Sequence, residues 1–272
     1  MGANLVIRSP IWSTLVPSDM AAKTMFVYPA INHILDDDGH KETMDSLMTG
    51  KSAATWTTAL PIELGRLSQG IHNRTAATDT IVFIAKSDVP SDKKVTYGNF
   101  ICDYRPLKSE KYRVRLTVGG DRLKYARDAG APAESLLETK LIVNSTISDA
   151  HADARFMCAG LKEFFHATPM DEPEFMRVKY KYFQDEIRKE YNINAIVAQD
   201  AYVYIKIQKG MYGLKQATVL AYNHLVQHLA RSGYQPCPYT NGFGNIKHKK
   251  PNFVYVSTTL ELNTSPKTTP TI

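Results

Sequence analysis

The chain has 272 residues, 43% of them hydrophobic and 22% charged, with a formal net charge of +6. Such values belong to a globular protein of one large or two smaller domains and argue against a disordered chain. No run approaches the ~18 apolar residues of a membrane span, and three widely separated cysteines (Cys102, Cys158, Cys237) suit neither a disulfide framework nor a zinc knuckle. The N-terminus has no basic-then-apolar signal pattern, so an intracellular, cytoplasmic setting is expected, with no membrane partner.

Residues 1–52 form an N-terminal segment of partly irregular pattern. Within it Leu35–His40 (LDDDGH) gathers three carboxylates but has no glutamate at the twelfth loop position, which makes it a solvated turn rather than a calcium loop. Residues 55–69 read as an amphipathic helix with Trp56, Leu60, Leu64 and Leu67 on one face, weakened by Pro61. Strands are predicted over 81–85 and 95–105. The segment KYRVRLTVGGD is the most regular strand: Lys111, Arg113, Arg115 and Thr117 alternate with Tyr112, Val114, Leu116 and Val118, and two glycines then turn the chain.

Residues 133–147 read as a helix leading to a short apolar strand, Phe156–Gly160, that runs into a turn or helix start. FMRVKYKYF suggests another strand, QDEIRKEY a short charged helix, and residues 201–208 a strand with Val203, Ile205 and Ile207 facing one way. From Ala217 a helical stripe carries His224 and His228 at a spacing of four, read as packing residues because no third metal ligand accompanies them. Residues 252–260 read as one strand, and residues 261–272 as a disordered Pro/Thr-rich tail.

Strands and helices are mixed without regular βαβ alternation, which favours an α+β fold. Between Lys93 and Arg127 ten basic residues face three acids, a local net charge of +7 suited to a phosphate-rich partner or, equally, to a solvated basic face. No phosphate-binding glycine loop and no nucleophile elbow is present.

GMYGLKQATVLAYNHL (Gly210–Leu225) strongly resembles the Leu/Met-Tyr-Gly-Leu-Lys-Gln-Ala signature of copia-type retrotransposon reverse transcriptases, the RNA-directed DNA polymerase domain of a Pol polyprotein. In the family's order, WTTALPIELGRL resembles its Trp-x-x-Ala-x-x-x-Glu-x-x-x-Leu opening, YRVRLTVGGD its fingers strand, RFMCAGLKEFFHATPM the strand of its first catalytic aspartate, and FVYVSTTL the strand ending in Tyr-Val-Asp-Asp. The resemblance covers about residues 53–260. It implies fingers and palm with an antiparallel sheet flanked by helices, and a thumb and ribonuclease H region that this chain is read as lacking.

Polymerases of this kind hold the triphosphate and activate the primer end with two magnesium ions bound by carboxylates. The resemblance puts those carboxylates at Gly160, Ser257 and Thr258, so all three are replaced. Glu163 lies three positions past Gly160 and is a poor substitute. No catalytic residue, no metal site and no cofactor is therefore expected in this chain, although Mg2+ serves the family, and no small-molecule cofactor is implied. Nucleotide and nucleic-acid contacts carry over onto Lys111, Arg113 or Arg115 in the fingers strand and onto Lys215 and Gln216, with RNA or an RNA–DNA hybrid as the partner. Two functional expectations follow: an inactive polymerase-like fragment, or a non-catalytic nucleic-acid-binding module that keeps the basic fingers face.

Overall fold

The computed structural model describes residues 34–36, 39–72, 74–106, 108–125, 140, 144–145, 147–148, 155–161, 163–237, 240–246, 249–255 and 259–264; in the strands over 155–160 and 240–264 it is the backbone that is described. Two short helices open this part, α1 (Met44–Thr49) and α2 (Ala53–Leu67). Then follow β1 (Ile81–Ile84), β2 (Val95–Tyr104), β3 (Tyr112–Val118), β4 (Arg155–Gly160), α3 (Phe164–Ala167) and β5 (Pro169–Lys179). The chain continues through α4 (Asp185–Glu190), α5 (Ile193–Ile196), β6 (Tyr202–Lys209) and α6 (Ala217–Arg231), and ends in β7 (Tyr234–Cys237), β8 (Thr240–Ile246), β9 (Lys249–Tyr255) and β10 (Thr259–Thr264).

The fold is α+β, with two five-stranded sheets among the described residues, ordered β1-β6-β5-β2-β3 and β4-β10-β9-β8-β7. The second sheet is antiparallel throughout. The first is mixed, because β2 and β5 run parallel. Parallel neighbours need a long crossover, and here the chain makes β3 and β4 before it returns as β5. No described helix is long and apolar enough to cross a membrane.

Thr43 caps α1: its Oγ1 accepts the Ser46 N–H, and Ser46 Oγ accepts the Thr43 N–H in return. Helix α2 continues through Pro61, against the expectation that proline weakens it. Burial outweighs the lost hydrogen bond: Trp56, Leu60, Leu64 and Leu67 are essentially inaccessible, and each such side chain contributes ~1.5–3 kcal/mol. Along β6, Val203, Ile205 and Ile207 are fully buried as predicted, and Tyr204 on the opposite face is buried too. On that face Tyr202, Lys206 and Gln208 stay partly exposed, so solvent reaches one side of the strand.

Helix α6 joins two cores. Ala217 and Ala221 belong to the large one, which includes Met44, Leu64, Val114 and Ile205. Leu225 and Leu229 form a small one with Tyr234. His224 packs its ring 6.0 Å from Phe164, whereas His228 is exposed and has no packing role.

Three readings change at the chain's ends. Met44 and Leu47 join the main core, so the folded unit begins before residue 53. The single strand expected over 252–260 is two, β9 and β10, paired antiparallel. β10 then carries regular structure to Thr264, beyond the expected boundary at 260. The helix expected over 133–147 lies largely outside the described residues, of which 140, 144–145 and 147–148 are helical.

Candidate functional site

The loop after β6, residues 210–216, seats against the end of β3. Gly210 N–H donates to the Thr168 carbonyl at 2.8 Å, and Val118 N–H donates to the Tyr212 carbonyl at 2.8 Å. Gly213 takes a left-handed conformation (φ +96°) with its Cα against the Val118 carbonyl, while Gly120 lies against the Gly213 carbonyl. Only glycine lets two backbones approach so closely. Met211 and Leu214 point into the core and Tyr212 points out, its ring against Phe165 and His166.

The two residues singled out in this loop diverge. Lys215 is exposed, whereas Gln216 is buried and donates from Nε2 to Glu174 Oε1 at 3.1 Å. Burial raises the Glu174 carboxyl above its ordinary range, against the Gln216 bond. Glu174 and Gln216, but not Lys215, line a cleft of about 500 Å³ with Lys93, Lys94, Lys124 and Asp171.

The β3 residues are placed otherwise. Arg113 gives Nη1 to Glu110 at 2.7 Å and Nη2 to Glu63 at 3.2 Å. Arg66 spans the same two carboxylates at 2.9 and 3.1 Å, and Arg105 adds a bond to Glu110 at 3.0 Å. Arg115 meets the buried Asp103 at 3.1 Å, a diagonal pair across β2 and β3. Both arginines are thus engaged by structural carboxylates, and Lys111 alone of the three stands exposed. Lys111 also precedes the first residue of β3, at the opposite end from the 210–216 loop. Seven strand residues of ~3.3 Å each separate the two ends.

Glu63, the glutamate of the Trp-x-x-Ala-x-x-x-Glu-x-x-x-Leu opening, was given no role in the sequence, yet it organises this region. Its Oε1 accepts the Leu116 N–H at 3.2 Å, so a carboxylate from α2 closes the outer edge of β3. Burial pushes the Glu63 carboxyl above the ordinary range, while Arg66 and the Leu116 N–H pull it down. Burial also opposes the charge on Arg66, but Glu63 and Glu110 hold that guanidinium above its usual value.

His166 is a second group that the sequence did not mark. It is buried, its Nδ1 has no hydrogen-bond partner, and burial holds its imidazole below the ordinary range against the charges of Glu63 and Glu163. A depressed histidine contributes stability that is complete above its unfolded value of 6.5 and is lost as pH falls through the folded value. Urea midpoints should therefore fall more steeply between pH 7.5 and 5.5 in the native chain than in His166→Gln. Parallel profiles would show that His166 does not carry the effect.

Strand β4 brings Gly160 opposite Thr259, the first residue of β10. Ser257 and Thr258 lie outside the described residues. A magnesium ion requires hard, anionic oxygen ligands, and glycine with two hydroxyl residues does not fit it. Glu163 turns through a left-handed conformation, and its charge bears on His166. Among the described residues no group of three or more His, Cys, Asp or Glu side chains is arranged to hold a metal.

Comparison of the chain with known protein families, curated proteins and solved structures finds no match.

Proposed function

We propose that this chain is a catalytically inactive fragment resembling the reverse-transcriptase domain of a copia-type Pol polyprotein. The observation that carries the reading is the β4–β10 register. Gly160 and the Ser257-Thr258 pair lie almost a hundred residues apart in sequence, and Gly160 pairs with Thr259, the very next residue after that pair. The resemblance assigns the metal-binding carboxylates to these two stretches, and a palm needs them side by side. The seating of the 210–216 loop on the end of β3 supports the reading further, since it joins the Gly-Leu-Lys-Gln segment to the fingers strand.

With no carboxylate at any of the three positions, the anionic cage for two-metal catalysis is missing. Purified protein is expected to extend no primer on an RNA template with magnesium or manganese. A folded Gly160→Asp, Ser257→Asp, Thr258→Asp variant is expected to gain manganese binding, measured by electron paramagnetic resonance, that the native chain does not have. Extension by the native chain would overturn the inactivity, and a folded triple variant that binds no manganese would overturn the convergence of the three positions.

A second reading, a nucleic-acid-binding module, is favoured by the tip of the β2–β3 hairpin. There Lys108 and Lys111 stay exposed although Arg105, Arg113 and Arg115 are taken up by carboxylates.

A further inference from the structure

We propose that the tip of the β2–β3 hairpin is a stacking platform for single-stranded nucleic acid, built on Tyr104 and Tyr112. The proposal deepens the nucleic-acid-binding reading and rests on it for the class of partner. Tyr104 and Tyr112 face each other as the last pair of the β2–β3 ladder, and their ring centroids are 5.1 Å apart at 40°. They remain 39% and 40% exposed, among the most exposed large apolar side chains described. Trp56 of α2 holds the Tyr112 ring edge-on at 5.4 Å and is itself buried, so the outer rings rest on a fixed base.

Charge is sorted around these rings. The connecting residues 105–111 contain a single acid, Glu110, and it turns inward to Arg66, Arg105 and Arg113. The turn is closed by Arg105 N–H donating to the Lys111 carbonyl at 2.6 Å. Among the described residues of this turn Lys108 and Lys111 are exposed, as are Tyr104 and Tyr112, which bracket it. Two partly exposed aromatic side chains and the exposed lysines of the turn between them, with the local carboxylate withdrawn, match a strand of unpaired bases on a phosphate backbone. Bases stack on the rings, and phosphates meet the lysines. A base-paired duplex keeps its base faces stacked internally and offers the rings nothing comparable. An acidic peptide would meet the lysines but has no succession of flat rings.

The test is fluorescence anisotropy at ~50 mM salt, where phosphate contacts are strong, with the full chain and three probes: a labelled oligo-uridine, a labelled RNA–DNA hybrid, and heparin as a competitor without bases. The native chain is expected to bind oligo-uridine more tightly than the hybrid. Tyr104→Ala should weaken oligo-uridine binding by about tenfold or more, as loss of one stacked base does, while Tyr104→Phe should stay within about twofold. Lys108→Glu, at an exposed position, should weaken binding and lower the salt dependence by about one phosphate contact. Equal affinity of native and Tyr104→Ala protein, both folded by circular dichroism, would overturn the platform and leave the binding-module reading standing if the hybrid still binds. Heparin displacement that is indifferent to Tyr104→Ala and Tyr104→Phe would reduce the tip to a plain basic patch, and failure to bind either labelled probe would overturn both readings.

Discussion

Glu63→Ala is expected to lower the unfolding free energy by about 3–5 kcal/mol, the usual effect of removing one partner from a buried ion pair. That is a large share of the ~5–15 kcal/mol available to a typical domain. Three groups lose their acceptor at once: Arg66 at 2.9 Å, Arg113 at 3.2 Å and the Leu116 N–H at 3.2 Å. Alanine suits a helix slightly better than glutamate, but that gain is a few tenths of a kcal/mol and does not compete. Glu110→Ala is expected to cost less, about 1 kcal/mol, because its side chain is 31% exposed and water can replace it. Urea denaturation of the two variants checks the order. A Glu63→Ala loss below about 1 kcal/mol would mean that Glu110 alone suffices to neutralise the arginines.

Gly213→Val should be nearly as damaging, by about 2–5 kcal/mol. A left-handed conformation costs ~1–2 kcal/mol for a residue with a Cβ. The new side chain would also run into the Val118 carbonyl, and overpacking of that sort adds ~1–3 kcal/mol. The backbone can yield only by breaking the bond between Val118 N–H and the Tyr212 carbonyl, which fixes the loop to β3. Amide hydrogen exchange at Val118 gives the local readout: protection is expected to collapse in Gly213→Val and to persist in Lys215→Ala. Retained protection at Val118 in Gly213→Val would show that the close approach does not hold the loop in place.

Where pattern and burial coincide, the sequence was a sound guide. The alternation of Val203, Ile205 and Ile207 and the spacing of Trp56, Leu60, Leu64 and Leu67 correspond to buried faces. The alternating Lys111, Arg113 and Arg115 face was legible as a pattern but not in its use. Its partners come from elsewhere: Glu63 lies on a helix fifty residues before Arg113, and no period along β3 reports it. The β9–β10 hairpin was hidden for a different reason. β9 ends at Tyr255 and β10 begins at Thr259, and the sequence across that boundary, Tyr-Val-Ser-Thr-Thr-Leu, has no glycine, asparagine or proline and reads as uninterrupted strand. β8 escaped because Gly242 and Gly244 dilute the strand pattern. For the candidate site, the positions of Gly160, Lys215 and Gln216 could be set out from sequence, whereas the pairing of Gly160 with Thr259 is long-range and needed the structure.

The order of the first sheet has a consequence for synthesis. Among the described residues β1 pairs only with β6, Ile81 against Ile207, so the strand leaves the ribosome 126 residues ahead of that partner. At ~5–20 residues per second that is a wait of roughly 6–25 s. During it Ile81 and Phe83 have no ladder to join, and a nascent chain with a bare strand is open to association. A transcript that ended before Tyr202 would yield a protein with nothing to stand between β1 and β5, however well its earlier segments were encoded.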